Sequence, residues 1–362
     1  MLSRTPEAGP VELAEVEVLA PNFKRRLSGV TSTIVQLVPV QARDLGVATL
    51  GPGLPKTLPH IRPRQLFGLW RRPKRRPFRI WHARRNVEMA TGLVLKHILR
   101  APVKLVFTSA AQRRHQPFTK WLIGRMDAVV ATSTRSGSFL EVPHTVFMHG
   151  VDTAFFQPPR EPSERGAAAT GLPGRFLVGC FGRVRHQKGT DLFVDAMIAL
   201  LPSFPDWTAV ITGRVTPDNQ AFARALEERI AKAGLSDRIR LLGEVPEVAS
   251  WYRKIHLYVA PSRNEGFGLT PLEAMASGAA VVASDAGAYA EMVAEGVTGT
   301  VASAGDGAAL TQAVRRYLAD PDLAVRHGAA GVAHVAQNFP LEKEAAGLRL
   351  VYERLWAGER QA

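Results

Sequence analysis

Two carboxylates, a few fixed cations and two glycine-bearing loops carry most of the chemistry legible in this chain. Glu265 stands in the loop Asn264-Glu-Gly-Phe-Gly-Leu269, and Glu273 follows eight residues later, past Thr270-Pro-Leu272. A loop carboxylate beside Gly266 and Gly268 has no evident structural duty. Glu273 has one: it lies three residues after Thr270, with Pro271 between them, the spacing of a capping box at a helix start. A strand that runs through a glycine loop into a helix N-terminus aims free backbone N–H groups at one point, which suits an anion such as phosphate. A second loop, Gly182-Arg-Val-Arg-His-Gln-Lys-Gly189, sets Arg183, Arg185 and Lys188 just beyond an apolar run. Fixed cations there can neutralise a diphosphate and stabilise it as a leaving group, although a charged loop is more often simply solvated. His82 ends the run Phe78-Arg-Ile-Trp81, either as a packed strand-end histidine or as a group facing a ligand crevice. Near the N-terminus, Lys24-Arg-Arg-Leu-Ser-Gly29 forms a weaker strand–loop–helix unit with one glycine.

Several chemistries lack their motif. There is no Gly-x-x-x-x-Gly-Lys-Ser/Thr loop, no Gly-x-Gly-x-x-Gly directly after a strand and no Gly-x-Ser-x-Gly elbow. The Asp-x-Asp pair Asp320-Pro-Asp322 lies between late helical segments and reads as a helix-ending turn, and no His/Cys cluster occurs, so no metal site is expected. The single cysteine, Cys180, belongs to an apolar run at 176–181 and is expected inside a strand, without a disulfide framework.

The elements that must position these groups alternate. Strands are expected at 15–20, 47–50, 78–81, 104–108, 128–131 and 145–148, then at 176–181, 208–212, 239–242, 257–260 and 280–283, with helices between them. Among these helices are 31–37, 88–97 and 118–123 in the first half, and 190–200 and 221–233 in the second. Such alternation predicts an α/β fold with mostly parallel sheets. At 362 residues the chain has room for two domains. The expected boundaries are 1–158, a proline- and glycine-rich connection at 159–174, and 175–340. A last helix, at 341–362, is expected to pack back on the first domain.

The net charge of +14 is unevenly placed: residues 1–158 hold 24 Lys+Arg against 9 Asp+Glu, and the remainder 22 against 23. No acid occurs between Asp44 and Glu88, a span rich in arginine and interleaved with Leu66, Phe67, Leu69 and Trp70. This field implies an anionic partner, whether membrane surface, nucleic acid or a phosphorylated or carboxylated substrate. A solvated loop with one packed tryptophan is the plainer alternative. The N-terminus lacks the apolar core of a signal peptide and no run of about 18 apolar residues occurs. A cytoplasmic protein, soluble or peripheral, is therefore expected.

Taken together, Gly182-Arg-Val-Arg-His-Gln-Lys-Gly189, Val210-Ile-Thr-Gly213, Leu241-Leu-Gly-Glu-Val245, Val259-Ala-Pro-Ser262 and Glu265-Gly-Phe-Gly268 with Glu273-Ala-Met-Ala-Ser-Gly278 resemble family 4 of the retaining glycosyltransferases. The resemblance implies the GT-B fold: two Rossmann-like domains facing across a cleft, the C-terminal one holding a nucleotide-sugar and the N-terminal one the acceptor. The stretches Ala20-Pro-Asn-Phe-Lys-Arg-Arg-Leu-Ser-Gly29, Trp81-His-Ala-Arg-Arg-Asn86 and Phe107-Thr-Ser-Ala-Ala-Gln-Arg-Arg-His115 are similar to the lipopolysaccharide core mannosyltransferases that act on Kdo (keto-deoxy-octulosonate). The implied donor is GDP-mannose. By motif, Arg183 and Lys188 would meet the diphosphate. Glu265 and the backbone of Gly266, Phe267 and Gly268 would hold the sugar, with Gly182, Leu269, Thr270 and Val245 in the same donor site. Glu273 would bind the ribose, Gly29 would let the N-terminal loop approach the phosphates, and His82 would face the transferred sugar. Lys24, Arg25, Arg26, Arg84 and Arg85 would meet an anionic Kdo–lipid A acceptor at the cytoplasmic face of the inner membrane. No cofactor, metal or nucleic acid is implied. The pattern departs from the family in having Gly29 alone where a Gly-Gly pair often opens the first helix, and His149 in place of an asparagine before Gly-Val-Asp. The alternatives are a relative using another nucleotide-sugar or lipid-linked acceptor, a GT-B epimerase, or a non-catalytic protein binding anionic membrane or nucleic acid.

Overall fold

The computed structural model describes residues 10–24 and 29–359; Arg25 and Arg26, expected at the acceptor, lie outside the described residues. The chain forms two compact units, Met1–Gly150 with Leu341–Ala362, and Val151–Pro340.

The first unit is built on β1 (Val18–Pro21), β2 (Val47–Leu50), β3 (Arg79–Ala83), β4 (Val103–Ser109), β5 (Ala128–Ala131) and β6 (Thr145–Val146), all parallel, in the order β2-β1-β3-β4-β5-β6. Every residue of β1, β2, β3 and β5 is buried, as a parallel sheet covered on both faces requires. On one face Ile34, Leu37 and Val38 of the helix Gly29–Gln41 meet Leu348, Tyr352 and Trp356 of the helix Leu341–Trp356 over Ile80, Val106 and Val130. On the other face Met89, Leu93 and Leu122 pack on Trp81, Leu105 and Phe107. The chain runs from β1 out to β2 and returns past β1 to β3, so the topological switch point lies between β1 and β3. Ligand crevices open at such points, outside the carboxyl ends of the strands.

The second unit repeats the plan with β7 (Phe176–Phe181), β8 (Trp207–Thr212), β9 (Ile239–Gly243), β10 (Leu257–Ala260), β11 (Ala280–Ser284) and β12 (Gly299–Ala302), in the parallel order β12-β11-β10-β7-β8-β9. Its switch point falls between β7 and β10. Cys180 lies buried in β7.

Four local differences from the sequence expectations have physical causes. The first strand begins at Val18 because Leu13–Glu15 forms a 3-10 turn, and Glu17, a solvent-face residue by alternation, is buried against Arg76 and the Gly46 amide. The helix expected at 88–97 is Asn86–Leu93 running on into a π turn, Val94–Ile98. The expected connection at 159–174 belongs to the second unit, where Arg165 donates to the carbonyls of Ser277 and Gly278 at 2.8 and 2.6 Å. Within the basic span, Arg79 is fully buried and donates to the carbonyls of Leu13, Leu69 and Arg71. It therefore acts as a core strut and is withheld from any ligand.

Candidate active site

The loops after β7 and β10 meet at the second unit's switch point. The first turns at Gly182, passes the 3-10 turn His186–Lys188 and reaches Gly189, whose φ of 69° opens the helix Thr190–Leu200. A Cβ there would strike the Pro261 carbonyl, 2.7 Å from its carbon, so only glycine lets the loops touch. Arg263 locks the contact: its guanidinium donates to both Asp191 oxygens at 2.7 and 2.8 Å and its amide to the Gln187 carbonyl at 2.9 Å. Burial alone would raise the Asp191 pKa, but the paired Arg263 holds it below the usual carboxylate value.

Lys188 and Glu265 are brought together as an ion pair with both side chains mostly buried. Glu265 also accepts from the Gly266 amide at 3.2 Å and the Tyr289 hydroxyl at 3.4 Å. Gly268, at φ 83°, presses so closely on this carboxylate that a Cβ would come within 2.7 Å of Glu265 Cγ and 2.9 Å of Tyr289 Cζ. Gly182, Arg183, Lys188, Ser262, Thr270 and Tyr289 line the resulting pocket. Cys180 lies at the same pocket, where burial pushes its thiol up to about 12 and keeps it from acting as a thiolate. Val245 lies half-buried in the turn after the edge strand β9.

The capping box at Thr270 does not form. Thr270 is the first helical residue of Thr270–Ala276, and Leu269 at the cap position has helical dihedrals and makes no capping bond. The Thr270 hydroxyl engages Tyr258 and Tyr289 instead. Glu273, released from capping, accepts from the Tyr252 hydroxyl at 2.9 Å. Burial raises its pKa to about 7, against the opposing pull of Tyr252 and Lys188.

At the first unit's switch point the structure divides the expected residues. His82 is 1 % exposed, with Nδ1 2.6 Å from the Tyr352 hydroxyl and Nε2 2.6 Å from Thr108 Oγ1. Burial, with the charges of Arg84 and His149, drives its pKa well below the ordinary value, so it stays neutral. Both ring nitrogens are occupied, which corrects the sugar-facing role: His82 is a core residue tying the helix Leu341–Trp356 to β3. Arg85 is likewise pinned, donating to Asn22 Oδ1 and Glu88 Oε1, each at 2.8 Å, and to Thr31 Oγ1 at 3.1 Å. Arg84 differs. Its cation is held in a setting whose burial lowers its pKa, it reaches the His82 carbonyl at 3.4 Å, and it has no salt bridge among the described residues. Lys24 is exposed, and among the described residues none lies within 4 Å of where a Cβ on Gly29, the first residue of its helix, would stand.

Among the described residues no group of three or more His, Cys, Asp or Glu side chains is placed to hold a metal. Tyr252, Tyr258, Tyr289, Asp191 and Arg263 escaped the sequence reading, since their partners come from separate strands and loops with no common spacing.

Residues 175–320 match the family described as Glycosyl transferases group 1. The chain is 65% identical over 350 residues to the lipopolysaccharide core biosynthesis mannosyltransferase LpcC of Rhizobium leguminosarum bv. viciae, covering 96% of this chain and 99% of that one. It is 55% identical to LpsB of Rhizobium meliloti, a protein of the same description, over 95% of this chain and 99% of that one. Among solved structures, the C-terminal domain of a group 1 glycosyl transferase (LpcC) from Francisella tularensis superposes with a TM-score of 0.51 at 34% identity, covering 53% of this chain and 99% of that one. HepE of Anabaena, in complex with UDP and glucose, gives a TM-score of 0.79 at 19% identity, covering 93% and 99%, a likeness of fold. The chain belongs to the group 1 glycosyltransferases, has the GT-B fold, and is a lipopolysaccharide core mannosyltransferase.

Proposed function

We propose that the enzyme takes mannose from GDP-mannose and transfers it, with retention of configuration, to a Kdo residue of the lipopolysaccharide inner core. The observation that carries this reading is the convergence of Arg183, Lys188 and Glu265 at the switch point between β7 and β10. In the structure Lys188 is neutralised by Glu265. An arriving diphosphate competes for that ammonium, leaving the Glu265 carboxylate to accept hydrogen bonds from sugar hydroxyls. As the bond from the sugar to the phosphate breaks, negative charge builds on the diphosphate, where Lys188 and Arg183 stabilise it. Arg183 and Lys188 thus take the charge-neutralising part that a divalent ion plays in other transferases. Glu273, whose pKa burial raises to about 7, receives the ribose hydroxyls in its carboxylate form.

The acceptor is the lipid-linked Kdo sugar, and Arg84 with Lys24 meets its carboxylate, Arg85 serving to hold the loop. The work is done at the cytoplasmic face of the inner membrane; no described helix is long and apolar enough to cross a bilayer. The test is incubation with GDP-mannose and a Kdo-bearing lipid A precursor, followed by mass spectrometry. A gain of one hexose is expected. Stabilisation by UDP or ADP in place of GDP in a thermal melt, with no hexose gain from GDP-mannose, would overturn the donor assignment.

A further inference from the structure

The first unit exposes a second feature that the transfer reaction leaves unused. The π turn Val94–Ile98 and the helix Pro117–Ile123 border a groove of about 540 Å³ lined by Leu93, Val94, Ile98, Phe118, Trp121 and Arg125. Its rim is apolar yet open to solvent, Ile98 being 71% and Phe118 61% exposed. The Phe118 and Trp121 rings stack at 6.0 Å, and the Arg125 guanidinium lies 3.9 Å from the Trp121 ring centre. The surface continues into the basic span: the Trp70 indole donates to the Leu99 carbonyl at 2.6 Å, just past the π turn, and Phe67, 84% exposed, is three residues before it.

Charge decides what covers such a face. From Arg62 to Arg125 the sequence has 17 Lys+Arg and a single acid, Glu88. Glu88 is fully buried and bound to Arg85. Acids from outside the span neutralise some of its cations: Asp127 and Glu141 pair with Lys96, Lys104 and Lys120, and Glu15, Glu17 and Glu353 pair with Lys74 and Arg76. Arg71, Arg72 and Arg100 remain exposed around Trp70 and the π turn. Contiguous exposed apolar side chains ringed by cations, with aromatic rings at the edge, match the boundary between lipid headgroups and acyl chains. A nucleic acid would find few hydrogen-bonding groups in the groove, and an ordinary protein face would leave most of the cations unmatched.

We propose that this face docks on an anionic phospholipid bilayer, with Phe67, Trp70, Ile98, Phe118 and Trp121 entering the interface, an acyl chain in the groove, and the arginines on the headgroups. The proposal rests on the functional reading's placement of the work at a membrane face, but its test needs neither donor nor acceptor, so either can fail while the other stands.

The purified full chain is mixed with phosphatidylcholine vesicles, with and without about one-third phosphatidylglycerol, and floated at low and high salt. Binding is expected to the anionic vesicles only, to weaken with salt, and to fall about tenfold or more in Ile98→Asp/Phe118→Asp. Arg71→Gln/Arg72→Gln should weaken it several-fold per charge. Both positions of the first pair are exposed, so melting temperature and nucleotide stabilisation should not change. Brominated acyl chains should quench the tryptophan fluorescence of the wild type and not that of the double aspartate variant. Wild-type protein that ignores anionic vesicles, or variants that bind them as the wild type does, would overturn the proposal. So would tighter binding to duplex DNA than to vesicles, or a dimer in light scattering that the aspartates abolish while vesicles go unbound.

Discussion

Glu273→Gln removes a titration from the donor loop while keeping the size of the side chain and an oxygen for the Tyr252 hydroxyl. In the wild type burial holds the Glu273 pKa at about 7, so the carboxylate form makes up about one-tenth of the protein at pH 6 and about nine-tenths at pH 8. If the carboxylate receives the ribose hydroxyls, GDP affinity should rise roughly ninefold over that interval, since the protonated acid is a poorer acceptor. The same shift acts on stability with a definite sign. An acid whose folded pKa lies above its unfolded value favours the folded state in its protonated form. That contribution is complete below pH 4.5 and is lost as pH rises through about 7, a change of at most about 3 kcal/mol. Glutamine should flatten both curves. Titration calorimetry of GDP at pH 6, 7 and 8, with urea unfolding at the same values, measures them side by side. The ratio of wild-type to variant affinity cancels the ionisation of the nucleotide's own phosphates. A variant that binds GDP as tightly as the wild type at pH 8, with the same pH slope, would refute the ribose assignment. An unchanged unfolding slope would refute the raised pKa.

Lys188→Ala should lower kcat about 10²–10³-fold with an unchanged circular dichroism spectrum, and wild-type turnover would remove Lys188 from the diphosphate. His82→Ala should cost about 2–4 kcal/mol in urea unfolding, from a cavity and two stranded hydroxyl partners, with turnover well below the melting temperature intact; a selective loss of kcat at unchanged stability would return His82 to the chemistry. Arg84→Gln should raise the acceptor KM about tenfold or more with the donor KM unmoved. Arg85→Gln should instead lower stability by about 3–5 kcal/mol, because Glu88 is left buried without its cation.

Much of the scaffold could be read from the chain because buried parallel strands are short continuous apolar runs. The strands Val47–Leu50, Ala128–Ala131, Phe176–Phe181 and Leu257–Ala260 have the expected limits. The edge strand Gly299–Ala302 went unread, since it opens with glycine and has only two apolar residues in its four. The π turn left no mark in the periodicity. The two loops of the donor site were legible because glycine and cation spacings are local. What each side chain does depended on distant partners. Thr270 and Glu273 have capping-box spacing, yet tyrosines from other elements claim both. His82 sits within the strand at 79–83, but its burial is completed by Tyr352, 270 residues away in sequence. Arg84 and Arg85 are neighbours with the same chemistry, and only the position of Glu88 and Asn22 separates an available cation from a structural one.

The membership of Leu341–Trp356 in the first unit has a consequence for synthesis on the ribosome. When residue 150 emerges, one face of the nascent sheet still lacks the helix that supplies Leu348, Val351, Tyr352 and Trp356. At about 5–20 residues per second, translating the intervening stretch takes on the order of 10–40 s. During that time Ile34, Ile80 and Val106 present an uncovered apolar surface, while the continuous segment Val151–Pro340 holds everything its own core needs. The second unit is therefore free to fold first although it is made second, and the first must wait, shielded by a chaperone or by its own charge, until the last helix arrives to close it.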